Sequence, residues 1–191
     1  MLAHLHPTVI VLASGRGERF TASGGQVHKL QALLRGKKII DWTLDAVRAS
    51  GLPYHVEDAG HPGMGDSIAA AVRATLNSRP QPNGWLILPA DLPLIQPATL
   101  LAVAQALHTA HQVIPMVNGQ RGHPVGFSFQ YALQLSNLKG NRGATQVKPA
   151  QAAIGLIVND KGCVTDIDTL QDLEIVHRLL AVASGQDVYW I

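Results

Sequence analysis

The stretch VIVLASGRGERF, residues 9–20, decides how the rest of the sequence is interpreted. Its opening residues 9–13 are apolar and begin with β-branched side chains, and the run is bounded by Gly15. This pattern predicts a short strand that is buried on both faces. Gly15 and Gly17 would let the backbone approach a ligand closely, while Arg16 and Arg19 supply positive charge for an anion. We therefore expect a phosphate-bearing ligand directly after the strand.

The spacing of this stretch separates the known phosphate-binding loops. A P-loop requires Gly-Lys-Ser or Gly-Lys-Thr, which does not follow here, so that loop is excluded. The dinucleotide fingerprint requires a glycine where Phe20 stands, and about twenty residues further on it requires an acid where Lys37 and Lys38 stand. An ordinary glycine turn with solvated arginines remains an alternative.

Composition indicates a globular protein. The chain has 191 residues, of which 47% are hydrophobic and 15% charged, and this suffices for one domain covering residues 1–191. Its only cysteine, Cys163, cannot form an internal disulfide, and the opening residues do not resemble a signal peptide. No apolar run reaches the roughly 18 residues of a membrane span. We expect a soluble cytoplasmic protein.

Positive charge is concentrated at the start of the chain. The first forty residues hold six Lys or Arg against one acid, Glu18, whereas the remainder holds nine basic and twelve acidic residues. There is no basic helix, and only 5% of the residues are aromatic, so a nucleic-acid partner is not expected. A small polyanion such as a nucleoside triphosphate fits better. We expect no membrane partner and a monomer or weak dimer.

Short apolar runs alternate with helical patterns along the chain. Strands are predicted at residues 9–13, 54–56, 85–88, 112–117 and 124–129, and helices at 40–49, 67–76, 97–110 and from 169 onward. Asp66 or Ser67 is predicted to cap the second helix, and Thr169 with Asp172 the last. The alternation predicts a three-layer α/β/α domain with a mostly parallel, Rossmann-like sheet. Ligands of such sheets gather beyond the carboxyl ends of the strands.

Two aspartates are candidates for a metal site. Asp91 follows the apolar strand WLIL, and the next helix begins only after Pro97, which disfavours a capping role. Mg²⁺ prefers one or two carboxylates together with phosphate oxygens. No acid occurs between Leu92 and Asn159, so the second carboxylate must come later, and we favour Asp168 over Asp166 on a short strand at residues 164–168. The alternative is that Asp168 caps the last helix.

Several segments resemble the MobA-like nucleotidyltransferases, and most closely the molybdenum cofactor cytidylyltransferases. They are LASGRGERF at 12–20, GMGDSIAAAV at 63–72, PADLP at 89–93, NGQRGHPVGF at 118–127 and DIDTLQDL at 166–173. Together they cover most of the chain in the order in which the family has them. The resemblance implies the fold predicted above and transfer of a nucleoside monophosphate from a triphosphate, with CTP favoured, to a phosphorylated acceptor. Molybdopterin is a candidate acceptor, and pyrophosphate leaves.

The resemblance also implies roles for individual residues. Arg19 and Lys29 would be catalytic, Asp91 and Asp168 would hold Mg²⁺, and the acceptor would lie against Arg121, Gly122 and His123. The nucleotide would contact Leu12, Ala13, Ser14, Gly15, Arg16, Gly17, Gly65, Ser67 and Ala90.

The spacing of six histidines does not match a metal site, so we expect them at the surface. They are His4, His6, His28, His108, His111 and His177.

Some segments depart from the family. Eight residues, TASGGQVH, separate Phe20 from Lys29, which is a longer loop than the family has. Residues 51–62 are too few for the strand and helix expected there, so one β-α unit is absent. The segment GNRGAT at 140–145 lacks an acid and an arginine of the family pattern.

A degenerate nucleotide-binding regulatory or chaperone-like protein is therefore an alternative function. Others are a sugar-phosphate nucleotidyltransferase, a molybdopterin guanylyltransferase, or a glycosyltransferase using Asp166-Ile167-Asp168.

Overall fold

The structure is a computed structural model that describes residues 6–147 and 152–183. Its strands are β1 (Thr8–Leu12), β2 (Leu33–Leu34), β3 (Lys37–Lys38), β4 (Tyr54–Glu57), β5 (Gly84–Pro89), β6 (Gln112–Val117), β7 (Gln120–Arg121), β8 (Val125–Ser128) and β9 (Ile154–Ile157). The helices are α1 (Glu18–Ala22), α2 (Ile39–Ser50), α3 (Met64–Thr75), α4 (Pro97–Ala106), α5 (Ala132–Ser136) and α6 (Leu170–Ala183).

Seven strands form one mixed sheet. Its order is β4, β1, β5, β8, β6, β7, and β9 pairs with β6. Strand β1 is parallel to both of its neighbours, and β6 is parallel to β9, whereas β8 and β7 run against the strands they pair with. The mostly parallel sheet predicted from the alternating pattern is confirmed. Strands β2 and β3 form a separate two-stranded ribbon.

Alternating side chains of the central strands build two cores, one on each face of the sheet. On β1, Val9 and Val11 join the core made with α2, α4 and α6, while Ile10 points to the other face, where α3 and α5 pack. The same alternation holds on β5, where Leu86 and Leu88 belong to the first core and Trp85 and Ile87 to the second. This two-residue period on strands covered on both sides produces the three layers.

Most of the predicted elements lie where the sequence indicated, but three local predictions are wrong. Helix α3 begins at Met64, so Asp66 and Ser67 lie inside its first turn and do not cap it; Gly63 precedes the helix. Residues 164–168 are not a strand, because the Ile167 amide donates to the Asp91 carbonyl at 3.1 Å instead of joining a ladder. Helix α4 ends at Ala106, four residues before the predicted end.

Two aspartates, Asp160 and Asp172, cap the starts of α4 and α6. Asp160 is 2% exposed, and its Oδ2 accepts from the Gln96 amide and the Thr99 hydroxyl at the start of α4. At the start of α6, the Asp172 carboxylate accepts from the Thr169 amide at 2.8 Å, and the Thr169 hydroxyl accepts from the Asp172 amide at 3.2 Å. This is the capping box predicted from the sequence.

The connection between α2 and α3 is short. Residues 51–63, between α2 and α3, contain β4 and no helix, in agreement with the absent β-α unit.

Within the described part of the chain, no helix is long and apolar enough to cross a membrane. Of the six histidines expected at the surface, His4 lies outside the described residues, and the other five are exposed.

Candidate active site

A cleft of about 670 Å³ opens at the carboxyl edge of the sheet. The loops that follow β1, β4 and β5 form its walls, together with the turn between β7 and β8 and the segment before α6. Its volume lies within the range of sites that hold small molecules and cofactors. The position is the one expected for a mostly parallel α/β sheet, because parallel strands direct their carboxyl ends to a common edge.

The glycine loop after β1 forms one wall of the cleft. Gly17 has φ +66°, a conformation that L side chains rarely adopt, and a Cβ placed on it would lie 3.2 Å from Lys29 Cβ. Gly15 is different, since a Cβ placed there would meet nothing within 4 Å. Gly17 is therefore required by the turn and by its packing against Lys29, whereas Gly15 leaves open space beside the backbone.

Lys29 lies between the two aspartates that the sequence proposed as metal ligands. Its Nζ donates to Asp91 Oδ2 at 2.6 Å and to Asp168 Oδ1 at 2.9 Å. Burial alone would lower the pKa of Lys29, but the two carboxylates outweigh it, so the pKa lies above its usual 10.5 and the side chain stays charged. The longer loop before Lys29 does not displace it from the site.

Arg19 adds a second positive charge to the same cluster. It projects from the short helix α1 and places Nη1 2.6 Å from Asp168 Oδ2, although its own side chain is 76% exposed. Asp166 also lines the cleft. Burial is the largest cause of its raised pKa, and the charges of Asp168 and Asp91 raise it further. The cleft thus brings three carboxylates and two cations together.

The helix-capping alternatives for Asp91 and Asp168 do not fit the observed contacts. The start of α4 is bound by Asp160, and the capping box of α6 is formed by Thr169 and Asp172. Both candidate carboxylates are instead directed to the Lys29 ammonium. Both side chains line the cleft and cap neither helix.

The donor set fits a hard divalent cation. Asp91 Oδ1 is buried and has no hydrogen-bond partner, so this carboxylate has an oxygen that its protein surroundings do not satisfy. Among residues 6–147 and 152–183, no group of three or more His, Cys, Asp or Glu side chains is placed to hold a metal ion, so this site would need ligands from outside the protein. Mg²⁺ suits such a site, because it is usually held by one or two carboxylates plus phosphate oxygens and water.

The turn between β7 and β8 provides the opposite wall. Arg121 and His123 line the cleft, but Gly122 does not: a Cβ on Gly122 would lie 2.6 Å from Cys163 Sγ, so this glycine permits close packing. His123 is largely buried, which lowers its pKa below the usual 6.5, although the Asp91 charge opposes the shift. Its Nδ1 is buried without a partner. Neutral His123 therefore presents an unsatisfied ring nitrogen.

The residues predicted to bind the nucleotide divide into two groups. Those that line the cleft are Leu12, Ser14, Gly15, Arg16, Gly17 and Ser67. Ala13, Gly65 and Ala90 do not line it. Ala90 is fully buried, and Gly65 allows α3 to approach the loop at 139–140, where a Cβ would lie 2.9 Å from the Lys139 carbonyl. The Ser14 and Ser67 hydroxyls share a hydrogen bond of 2.6 Å, which joins the glycine loop to α3.

Sequence reasoning missed two features of the cleft. Glu57, at the end of β4, is buried and accepts from His61 Nε2 at 3.1 Å, which orients His61 at the rim. An acid at the carboxyl end of a parallel strand was a usable signal. His28, expected only as a surface residue, contacts the Gly15 carbonyl at 2.7 Å. No spacing rule indicates that contact.

Comparisons with known proteins agree with this architecture. The sequence matches the model of the MobA-like NTP transferase domain over residues 46–154. No curated protein matches the sequence.

Solved structures share the fold at low sequence identity. A manganese complex of Rv0371c from Mycobacterium tuberculosis is 20% identical, with 91% of this chain and 98% of that chain covered and a TM-score of 0.70. A nucleotidyl transferase from Methanothermobacter is 18% identical, with 93% and 99% covered and a TM-score of 0.73. Molybdopterin-guanine dinucleotide biosynthesis protein A from Archaeoglobus fulgidus is 16% identical, with 92% and 99% covered and a TM-score of 0.59. Because the family match spans more than half of the chain and the site lies where the fold expects it, this chain belongs to the MobA-like NTP transferase domain family.

Proposed function

We propose that the protein transfers a nucleoside monophosphate from a nucleoside triphosphate to a phosphorylated small molecule. Membership of the MobA-like NTP transferase family supports the nucleotidyltransferase class. The observation that carries the proposal is the junction of Lys29 with Asp91 and Asp168 beside the glycine loop. Cations and backbone donors stabilise a triphosphate, and in nucleotidyl transfer the protein acts mainly by positioning the reactants and stabilising charge.

The reaction that we assign is an in-line displacement. A phosphate oxygen of the acceptor attacks the α-phosphorus and forms a new P–O bond, while the bond from that phosphorus to the β-phosphate oxygen breaks and pyrophosphate leaves. Lys29 and Arg19 would offset the negative charge that grows on the leaving group. Backbone amides of residues 14–17 would donate to phosphate oxygens.

Asp91 and Asp168 would hold Mg²⁺. The unpartnered Asp91 Oδ1 supports this assignment, as does the manganese complex of the mycobacterial structure. The metal, when bound, neutralises and orients phosphate oxygens. In the proposed complex, the Lys29 ammonium gives up part of its contact with the carboxylates and turns to the phosphates, which a flexible four-carbon side chain permits.

The choice of substrates is a finer proposal. We favour CTP as the donor and molybdopterin as the acceptor, because the segment at 166–173 resembles the ending of the molybdenum cofactor cytidylyltransferases. Arg121 at the rim of the cleft is available to an anionic acceptor. Guanylyl transfer to molybdopterin and nucleotidyl transfer to a sugar phosphate are the alternatives.

Pyrophosphate release tests the proposal. The purified protein would be incubated with each of the four triphosphates and Mg²⁺, with molybdopterin or with a panel of sugar phosphates. We expect release that requires both a triphosphate and an acceptor, with CTP and molybdopterin as the best pair. The Asp91→Asn protein serves as the negative control. Turnover of that variant at the parental rate would refute the assigned site.

A nucleotide-binding protein without turnover is the second candidate. Two observations favour it: the single strand between α2 and α3, and the segment at 140–145, which lacks an acid and an arginine of the family pattern. Binding of a triphosphate with no pyrophosphate release on any acceptor would support this candidate over the enzyme.

A further inference from the structure

His28 connects two parts of the cleft that lie far apart in the sequence. Its Nε2 is 2.7 Å from the carbonyl oxygen of Gly15, and its Nδ1 accepts from the Leu30 amide at 3.4 Å. The second bond caps the short 3-10 turn Lys29–Gln31. His28 therefore lies directly before the lysine that joins the two aspartates, and contacts the glycine loop.

The two hydrogen bonds of His28 determine which nitrogen of the neutral imidazole ring carries the hydrogen. Because Nδ1 accepts a hydrogen bond from Leu30, the neutral ring carries its proton on Nε2. The Nε2–H then donates to the Gly15 carbonyl, which can only accept. One histidine side chain thus works as an acceptor toward its own turn and as a donor toward the glycine loop.

The contact with Gly15 fixes the orientation of a peptide group. In a trans peptide the C=O and the following N–H point in opposite directions, so holding the Gly15 oxygen also fixes the direction of the Arg16 N–H. The same contact keeps the carbonyl oxygen bound to a donor, so that its lone pairs are not turned toward an anion. Gly17 packs against the same segment, since a Cβ on it would lie 3.2 Å from Lys29 Cβ and 3.8 Å from His28 Nε2.

We propose that His28 is a positioning residue that holds the peptide after Gly15 in a phosphate-binding orientation and keeps the loop aligned with Lys29. This role rests on the proposed function, in which the cleft binds a triphosphate. It assigns no chemical step to the imidazole. The side chain acts through the backbone of the loop and through the turn that carries Lys29.

Two conservative variants separate the two bonds. In His28→Gln, the amide nitrogen lies as many bonds from Cα as Nε2 does, so the donor to Gly15 is restored. In His28→Asn, the side-chain oxygen replaces Nδ1 as an acceptor and is a preferred helix cap, but it cannot reach Gly15. Binding of inorganic tripolyphosphate with Mg²⁺, measured by calorimetry, avoids any dependence on the base. His108→Asn, at another exposed histidine, is the control.

We expect His28→Asn to bind tripolyphosphate about five- to tenfold more weakly than the parent, the effect of one hydrogen bond, and His28→Gln to bind within about twofold of it. Without ligand, amide hydrogen exchange of residues 12–20 should be faster in His28→Asn and unchanged in His28→Gln. Melting temperatures of all variants monitor folding.

The other outcomes contradict the proposal in distinguishable ways. Parental affinity and exchange in His28→Asn would show that His28 only caps its own turn. Equal losses in both variants would show that the Gly15 contact is not the cause. If the parent itself does not bind tripolyphosphate, the role of His28 in phosphate binding fails. Pyrophosphate release from a nucleoside triphosphate, measured separately, then decides the proposed function.

Discussion

Lys29 Nζ lies 2.6 Å from Asp91 Oδ2, although 62 positions separate the two residues in the chain. The same nitrogen reaches Asp168, 139 positions away, at 2.9 Å. One ammonium thus joins the turn Lys29–Gln31, the carboxyl end of β5 and the segment before α6. All three side chains are largely buried, with exposed fractions of 12%, 16% and 19%, so solvent screens these contacts less than it screens a surface pair.

The first prediction concerns the removal of this cation. Lys29→Met should abolish turnover. It should also lower the free energy of unfolding by about 2 kcal/mol, because it removes the cation that two neighbouring carboxylates share and leaves Arg19 beside Asp168. This free-energy cost lies between the cost of breaking an exposed ion pair and the cost of breaking a fully buried one. Chemical denaturation measures it.

Lys37→Met is the matched control, because Lys37 pairs with Asp45, which is exposed. It should change stability by less than about 1 kcal/mol and leave turnover unchanged. If Lys29→Met and Lys37→Met lowered the free energy of unfolding equally, the Lys29 cluster would behave as a surface ion pair.

The second prediction separates the site from the helix cap. Asp172→Ala should lower the free energy of unfolding by about 1 kcal/mol through the lost capping box. Because the Asp172 carboxylate also accepts from the Asp168 amide at 3.1 Å, this change should weaken triphosphate binding, but less than Asp168→Asn does. Asp168→Asn should abolish turnover. Combining it with Asp91→Asn should cost little more than either change alone, because both carboxylates serve one ion. Retained turnover in Asp168→Asn would remove that residue from the site.

The third prediction distinguishes the two glycines of the loop. From the sequence alone, Gly17→Val would be expected to weaken binding without disturbing the fold, but the positive φ of Gly17 and its contact with Lys29 contradict that expectation. We now expect Gly17→Ala to cost about 1–2 kcal/mol of stability. Gly15→Val should instead keep the parental melting temperature and weaken triphosphate binding, because its side chain would occupy open space. Unchanged affinity in folded Gly15→Val would place the phosphates elsewhere.

The sequence predicted those parts of the fold that depend on local pattern. The run at 112–117 is β6 residue for residue, and the predicted start of α4 at Pro97 is correct, because apolar runs bounded by turn residues and a proline at a helix start carry their signal locally. The expected carboxyl-edge position of Asp91 followed from the same reasoning.

The parts that were missed depend on tertiary contacts. Residues 164–168 have the alternation of a strand, but the Ile167 amide bonds to the Asp91 carbonyl. Helix α3 begins early because Gly63 and Gly65 let it approach the loop at 139–140, which no local pattern indicates. The role of His28 depends on a partner thirteen residues away whose backbone carbonyl has no sequence signature.

The fourth prediction is a pH dependence. The largely buried His123 has a pKa below its usual 6.5, so around and below that pH the unfolded chain binds more protons at this residue than the folded protein does. Stability of the parent should therefore fall relative to His123→Gln as the pH is lowered from 7 to 5, and the difference should be constant above pH 7. Denaturation of both proteins at several pH values measures it. A pH-independent difference would show that His123 titrates normally.

The central claim is that the cleft binds a triphosphate through a metal held by Asp91 and Asp168. Calorimetric titration of each of the four triphosphates, with Mg²⁺ and with chelator, into the parent and into the Asp91→Asn, Asp168→Asn double variant tests it most directly. We expect at least one triphosphate, with CTP first, to bind the parent only when Mg²⁺ is present and to bind the double variant at least tenfold more weakly. No binding by the parent, or binding that neither chelator nor the double variant weakens, would contradict the claim.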